Sequence, residues 1–147
     1  MILILAEKPS LARNITAAIG GMKKRDGYYE GAQYIVTWAF GHLFSLADIE
    51  DYNPAPQECR HWTMDNLPCF PKKYKFVLRK GSDKQVDSGV ARQFETIKAL
   101  CNRPDVDTIV NAGDADREGE IIIRIIVDHA FASKEERAGK SHKRLWL

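Results

Sequence analysis

Acidic side chains are concentrated in one short run of the sequence, Asp114-Ala-Asp116-Arg-Glu118-Gly-Glu120, and a further acid, Glu7, follows an apolar run at the amino terminus. Asp114 and Asp116 are two positions apart, so in extended backbone both side chains point to the same side. If these carboxylates converge, they repel one another strongly unless a cation neutralises them. Carboxylate oxygens favour a hard dication, and Mg²⁺ is the ion that we expect.

The same acids have a second interpretation, in which they only open a helix. Glu118 and Glu120 fit it, because the helix macrodipole stabilises negative charge in the first turn. Asp114, Asp116 and Glu7 do not fit it, because they are expected at the ends of strands. Clustered acids in a cleft are costly and are usually kept for function, so we favour the metal site.

Two apolar strands are expected to carry these acids. Residues 1–6 form an unbroken apolar run, which is typical of a strand buried on both faces of a parallel sheet. Glu7 ends this strand, and a second strand over 107–111 ends shortly before Asp114. The carboxyl ends of parallel strands share one edge of a sheet, and functional groups collect there.

Helices alternate with the strands. Pro9 suits the first position of a helix that ends at Gly20-Gly21. Ser82 and Gln85 have the spacing of a capping box and predict the start of a second helix. The apolar stripe of that helix consists of Val86, Val90, Phe94, Ile97 and Leu100. A third helix over about 118–131 is apolar nearly all round and is expected to be deeply buried. This alternation predicts an α/β fold with a mostly parallel sheet.

Other segments are β-forming or irregular. Residues 27–40 predict a hairpin inserted between the main elements, and residues 74–78 predict a strand. Residues 51–71 contain four prolines and predict a long irregular excursion. Residues 140–144 predict a loop, and residues 145–147 predict the start of a last strand.

Composition narrows the classes of protein. The length of 147 residues suits one domain, and 44% hydrophobic with 29% charged residues is an ordinary globular balance. A net charge of +2 does not by itself predict nucleic-acid binding, so basic residues for such a role must be clustered locally. The apolar run at the amino terminus is too short for a signal peptide or a membrane span, and we expect a soluble, cytoplasmic protein that does not contact a membrane.

The three cysteines favour the same compartment. Cys59, Cys69 and Cys101 are odd in number and form no C-x-x-C pair, which favours reduced thiols over a disulfide framework. Cys59, His61 and Cys69 raise the question of zinc. No fourth ligand stands at a suitable spacing, so we do not expect a tetrahedral zinc site.

Four motifs in order resemble one family. The run from Asp114 to Glu120, together with a Glu at the end of the first strand, resembles the Toprim domain that topoisomerases, bacterial primases and some nucleases share. Ala6-Glu7-Lys8-Pro9-Ser10 and the segment 36–43 resemble type IA DNA topoisomerases, most of all topoisomerase III. Arg144-Leu-Trp resembles the point where chains of that family continue. The resemblance runs from Met1 to Leu147 and implies a Toprim, Rossmann-like fold.

The resemblance also implies a reaction. Type IA topoisomerases are isomerases that open one DNA strand when a tyrosine attacks a phosphodiester and becomes linked to the 5′ phosphate, and they reseal it after a second strand has passed. By resemblance Asp114 and Asp116 would hold Mg²⁺, and Glu118 would support the ion directly or through water. Glu120 is a further acid of the same motif.

Four other residues acquire roles in this way. Glu7 would exchange a proton with the 3′ oxygen, and Lys8 would stabilise charge on the phosphate. Arg117 would contact a neighbouring phosphate. His42 either orients a loop through a hydrogen bond or contacts DNA.

The nucleophilic tyrosine of the family lies in a later domain. The tyrosines of this sequence, none of them in the family's nucleophile context, are Tyr28, Tyr29, Tyr34, Tyr52 and Tyr74. We therefore expect residues 1–147 to be one Toprim domain of a longer enzyme, inactive alone. Its partners would be a single-stranded segment of DNA and the missing domains.

Two alternative functions remain open. A Toprim nuclease or primase-like protein would use the same acids to hydrolyse or form phosphodiesters, and a free-standing module would only bind metal or nucleic acid. The basic stretch 72–84 either follows a DNA backbone or is a solvated strand face. Trp38 and Trp62 could stack on unpaired bases, but we favour packing within the protein for both.

Overall fold

The computed structural model of the protein describes residues 1–52, 64–65, 67–68, 70–82 and 85–146. Its strands are β1 Ile2–Ala6, β2 Lys23–Lys24, β3 Tyr28–Glu30, β4 Tyr34–Trp38, β5 Phe44–Leu46, β6 Phe76–Leu78, β7 Thr108–Ala112 and β8 Ser141–Arg144. Its helices are α1 Pro9–Ile19, α2 Ser88–Cys101, α3 Arg117–Ala130 and α4 Lys134–Ala138, and a 3₁₀ turn spans Ile49–Asp51. The predicted strands at the amino terminus and near 107–111 are thus both present.

Strand β1 lies in the middle of a six-stranded sheet of order β2-β3-β4-β1-β7-β8. It runs parallel to β4 on one side and to β7 on the other, and β8 continues the parallel arrangement beyond β7. Strands β2 and β3 are antiparallel additions beside β4. The predicted α/β fold, with a mostly parallel sheet and an inserted hairpin, is confirmed.

Both faces of β1 are buried, which is why its sequence is apolar without alternation. Leu3 and Leu5 join the core that α2 and α3 cover, whereas Ile4 and Ala6 join the core on the side of α1. Helix α1 starts with Pro9 at its first position and ends at Ile19, and the next residue, Gly20, caps it with a φ of 72° that suits glycine.

The predicted start of α2 is wrong. The helix begins at Ser88, because Asp87 caps it by accepting the amide protons of Gly89 at 2.8 Å and Val90 at 3.1 Å. The segment before it is a turn in which the Gly81 amide donates to the Gln85 carbonyl. Val86 is therefore an exposed residue outside the helix, whereas the other four residues of the predicted stripe are buried.

Helix α3 has one exposed face, contrary to the prediction that it is buried nearly all round. Ile122, Ile123 and Ile126 are buried, but Ile121 is 51% exposed. At the end of the chain, residues 141–144 form a strand where a loop was predicted. Strand β8 is the edge of the sheet, so its side chains are mostly polar and the sequence lacks the usual strand pattern.

The remaining predictions concern the periphery. Strand β6 pairs with β5 in a separate two-stranded sheet. Cys101 is buried, and burial raises the pKa of its thiol to about 12. Cys59, His61, Trp62 and Cys69 lie outside the described residues. Among the helices of the described part of the chain, none is long and apolar enough to cross a membrane.

Candidate active site

The carboxyl ends of three neighbouring strands bring the predicted site residues to one edge of the sheet. Ala6 of β1 is in register with Trp38 of β4 and with Ala112 of β7. Predicted site residues follow these strands: Glu7 comes directly after β1, and Asp114 comes two residues after the end of β7. The segment after β4 is tied in because the Gly41 amide donates to the Glu7 carbonyl at 3.0 Å.

Glu7, Lys8 and Asp114 form the centre of this edge. The Glu7 side chain is only 13% exposed, and its Oε2 accepts the amide proton of Asp114 at 3.0 Å. The Lys8 ammonium donates to Asp114 Oδ2 at 2.9 Å and lies 3.9 Å from Glu7 Oε1. The hydrogen bond from Lys8 to Asp114 raises the pKa of the Lys8 ammonium, and the charges of Asp114 and Glu7 raise it further. The Lys8 ammonium is thus held between the carboxylates of Glu7 and Asp114.

Asp116 shapes the turn that leads into α3. Its Oδ1 accepts the amide proton of Gly119 at 2.7 Å, which makes it the N-cap of the helix. Its own amide donates to the Asp114 carbonyl at 2.8 Å. Glu118 stands in the first turn as predicted, is exposed, and lies 3.3 Å from His42 Nε2 through its Oε1.

Two glycines allow the acidic loop to lie directly on the start of α3. A Cβ atom at Gly119 would come within 2.4 Å of the Asp114 carbonyl oxygen and 2.9 Å of Glu7 Oε2. A Cβ atom at Gly113 would come within 2.5 Å of the Gly119 carbonyl oxygen. Neither glycine was predicted from the sequence to belong to the site. A glycine in the first turn of a helix, where it weakens the helix, was the available signal.

Arg144, at the end of β8, holds the acidic loop from the other side. Its Nη2 donates to the carbonyls of Asp114 at 2.7 Å and Gly113 at 3.1 Å, and its Nη1 donates to Asn111 Oδ1 at 2.7 Å. Its Nε is buried and has no partner within the described residues. Arg144 was not predicted to belong to the site, because residues 140–144 were expected to form a loop and not a strand.

Glu120 lies on the Arg144 side of the loop. Its Oε2 accepts from Asn111 Nδ2 at 2.8 Å and from Arg144 Nη1 at 3.2 Å. Its Oε1 accepts from Arg124 at 2.8 Å. Both oxygens of Glu120 are therefore engaged in protein contacts.

The profile of the Toprim domain family matches residues 2–145. The chain belongs to the Toprim domain family. Three curated relatives carry the name DNA topoisomerase 3: the protein from Staphylococcus epidermidis is 44% identical over 145 residues, that from Bacillus subtilis 42% over 144, and that from Shouchella clausii 40% over 144. The matches cover 98–99% of this chain but only 17–18% of each relative. The chain thus spans less than a fifth of their length.

The donor chemistry of this Toprim domain suits Mg²⁺ in an open site. Asp114, Asp116 and Glu118 offer carboxylate oxygens near the surface, and Mg²⁺ typically takes one or two carboxylates and completes its octahedron with water and phosphate oxygens. In the described part of the chain, no three Asp, Glu, His or Cys side chains lie close enough to surround an ion by themselves. The residues therefore fit an ion that shares its coordination with water and a substrate.

Most of the predicted site residues lie at the carboxyl ends of β1, β4 and β7. Glu7, Lys8 and Asp114 are in direct contact, His42 contacts Glu118, and Arg117 is exposed at the start of α3. The basic stretch after residue 71 is partly paired, because Lys80 lies 3.5 Å from Asp51. Trp38 is half-buried and packs at 5.6 Å on the ring of Tyr29, so the packing interpretation of Trp38 is confirmed.

Proposed function

We propose that this chain is the metal-binding catalytic half-site of a type IA DNA topoisomerase of the topoisomerase III kind. Such an enzyme cleaves a single DNA strand through a 5′-phosphotyrosine link, passes a second strand and rejoins the first. The observation that carries the proposal is the direct contact of Glu7, Lys8 and Asp114 at the strand ends. The 40–44% identity to proteins named DNA topoisomerase 3 over nearly the whole chain supports it. The nuclease, primase-like and binding-only alternatives have no comparable support.

Lys8 is proposed to stabilise the charge that develops on the scissile phosphate. Its side chain is about half exposed, so a phosphate can approach it from solvent. Because its pKa is raised by Asp114 and Glu7, it remains protonated across the physiological range. A fixed positive charge aimed at a developing anion is an efficient form of transition-state stabilisation.

Glu7 is proposed to exchange a proton with the 3′ oxygen of the cleaved strand. Its Oε2 is fixed by the Asp114 amide, which leaves Oε1, on the Lys8 side, to face the substrate. A carboxylate held in one orientation within hydrogen-bond reach of a leaving oxygen can act as a general acid or base. The contact with Asp114 therefore sets the direction of the proton transfer.

Mg²⁺ is proposed to be held by Asp114 and Asp116, with Glu118 in support. When bound, the ion would neutralise phosphate charge beside the carboxylates. Arg117 and His42 are proposed to contact DNA, Arg117 as an exposed guanidinium and His42 beside Glu118. We assign Glu120 to the support of Arg144 rather than to the ion, because both of its oxygens are engaged.

The attacking tyrosine is proposed to lie outside residues 1–147, in a longer protein that acts on DNA in the cytoplasm. The length of the relatives supports this proposal. Tyr28, Tyr29 and Tyr34 belong to strands of the sheet, and the Tyr52 hydroxyl accepts the Lys75 amide proton at 2.7 Å. Residues 1–147 alone are therefore expected to bind metal and DNA without cleaving the strand.

The test is strand cleavage by the full-length protein with Glu7→Gln, measured on an end-labelled single-stranded oligonucleotide. The amide keeps the size of Glu7 but cannot carry the proton, so cleavage should fall by about 100-fold or more. Glu95→Gln is the control, because Glu95 is exposed on α2 away from this edge. Wild-type cleavage by the Glu7 variant would remove Glu7 from proton transfer, and a wild-type protein without strand cleavage would refute the proposed function.

A further inference from the structure

An exposed aromatic side chain stands next to the candidate active site without a role in it. Phe40 follows β4, between the buried Ala39 and Gly41, and is 42% exposed. Its ring contacts no other aromatic ring within the described residues. It also belongs to neither of the two hydrophobic cores.

Phe40 forms one wall of a groove between the hairpin and the starts of α1 and α2. Pro9, Gly27, Gly89 and Arg92 also line this groove, whose volume of about 370 Å³ lies within the range of small-molecule sites. The groove therefore has room for a planar group beside the Phe40 ring.

The inner wall of the groove is rigid, because the buried side chain of Gln93 on α2 is hydrogen-bonded to Gly27 and to β4. The two N–H groups of Gln93 Nε2 are shared among three acceptors, the carbonyls of Trp38 at 2.8 Å and Gly27 at 3.1 Å and the Oγ1 of Thr37 at 3.2 Å. These bonds fix the hairpin on α2. The groove is thus preformed, which lowers the cost of binding a ligand in it.

The groove opens beside the residues proposed to bind the scissile phosphate. Pro9 follows Lys8 directly in the chain, and the residue after Phe40 donates its amide proton to the Glu7 carbonyl at 3.0 Å. The groove therefore lies next to Lys8, the residue proposed to stabilise charge on that phosphate, and the backbone beside Phe40 is bonded to the backbone of Glu7. The charge at the rim is balanced, because Arg92 pairs with Asp26 at 2.6 Å. A neutral group suits this groove better than a phosphate does.

We propose that the groove binds an unpaired base of single-stranded DNA, from the nucleotide next to the scissile phosphate, stacked on the ring of Phe40. The inference rests on the proposed function and adds a subsite to it. Aromatic side chains stack on any base, because every base has a π-face. The subsite therefore positions the strand while it remains tolerant of sequence.

The test measures binding of the full-length protein to a single-stranded oligodeoxynucleotide that carries one abasic nucleotide, moved position by position past the cleavage site. At one flanking position the missing base should weaken binding to the wild type about tenfold, the range known for one stacked base. Phe40→Ala should weaken binding to the intact strand by the same factor and should no longer respond to the abasic position. In a double-mutant cycle the two changes should not add.

Two further variants separate stacking from apolar packing. Phe40→Trp should bind like the wild type, whereas Phe40→Leu keeps an apolar side chain without a π-face and should bind like Phe40→Ala. Leu46→Ala is the control, because Leu46 is 54% exposed on β5, outside this groove.

Each result decides a different point. If Phe40→Ala still responds to the abasic nucleotide as the wild type does, or if Phe40→Leu binds like the wild type, the subsite is refuted while the proposed function stands. If the wild type neither binds nor cleaves single-stranded DNA, the proposed function fails, and the subsite fails with it.

Discussion

Ionic groups lie at both ends of the parallel strands of the central sheet: at the amino edge, where β1, β4 and β7 begin, and at the carboxyl edge, where they end. The contacts that these groups make differ between the two edges. At the amino edge, Arg103 donates to Glu30 at 2.8 Å and to Asp105 at 2.7 Å, and Lys140 donates to the Arg103 carbonyl at 2.9 Å. At the carboxyl edge, the acids are partly exposed and Lys8 is the only ammonium that bonds to them within the described residues.

Ion pairs at the amino edge join parts of the fold to one another, whereas charged groups at the carboxyl edge are placed where a ligand could contact them. At the amino edge, Arg103 contacts two carboxylates at once, Glu30 and Asp105, and its side chain is 29% exposed. At the carboxyl edge, Glu7 and Arg144 hold the backbone of Asp114, whereas its side chain is 45% exposed and bonds to Lys8 alone among the described residues. A rigid main chain that presents unsaturated charged groups is the arrangement that a binding site needs.

The largest expected effect is on metal binding. Asp114→Asn with Asp116→Asn should abolish Mg²⁺ binding by the full-length protein in calorimetry, because neutral amides are poor ligands for a hard cation. The fold should persist, since Asn at position 116 remains a good N-cap. The matched control at the opposite edge is Asp105→Asn with Asp107→Asn, which should leave Mg²⁺ affinity unchanged. Unchanged Mg²⁺ affinity in the variant with both Asp114→Asn and Asp116→Asn would refute the metal assignment.

A smaller effect is expected when the backbone beneath the acids is displaced. In Gly119→Ala the new methyl group would overlap the Asp114 main chain, so the loop must shift. Strand cleavage should fall by about 100-fold, the loss expected for a misplacement of about 1 Å. Gly139→Ala is the control, because its Cβ atom would meet the Glu136 carbonyl oxygen at 3.3 Å and the backbone there is helical. Normal cleavage by Gly119→Ala would show that the reaction does not depend on the position of the Asp114 main chain.

The smallest effect concerns stability at the amino edge. Arg103 lowers the pKa of Glu30 and of Asp105 by hydrogen bonding to both. A carboxyl group with a lowered pKa in the folded state stabilises the fold above its ordinary pKa of about 4, and this stabilisation is lost as the pH falls through the folded-state pKa. Arg103→Gln should therefore lower the melting temperature by roughly 3 °C at pH 7, and by less at pH 3.

The control for this variant is Arg92→Gln, which removes an exposed pair and should change the melting temperature little. Thermal unfolding monitored by circular dichroism at both pH values gives the comparison. An equal loss at pH 7 and pH 3 in Arg103→Gln would show that its carboxylate partners do not mediate the effect.

The predictable parts of the fold were those whose sequence is dictated by burial. The apolar run of β1 gave its position, and the strand-end rule then brought Glu7 and Asp114 to one edge. Strand β8 was missed because an edge strand need not be apolar, and the start of α2 was missed because Asp87 was a stronger cap than Ser82.

The contacts between side chains and backbone within the site could not be predicted from sequence patterns. The bond from Lys8 to Asp114 and the contact of Gly119 with the acidic loop both join residues that are distant in sequence or in different elements. Propensities and spacings describe local backbone, whereas these contacts depend on how the elements pack. They therefore became visible only in three dimensions.

One peptide group links the two sides of the candidate site. The N–H of Asp114 and the C=O of Gly113 belong to the same peptide unit, and they bond to Glu7 and to Arg144 respectively. Because a peptide unit is planar and rigid, any tilt that strains one bond also strains the other. Glu7 and Arg144 are therefore mechanically coupled through a single plane, so that a shift at the end of β8 reaches Glu7, the residue proposed to transfer the proton, at the end of β1.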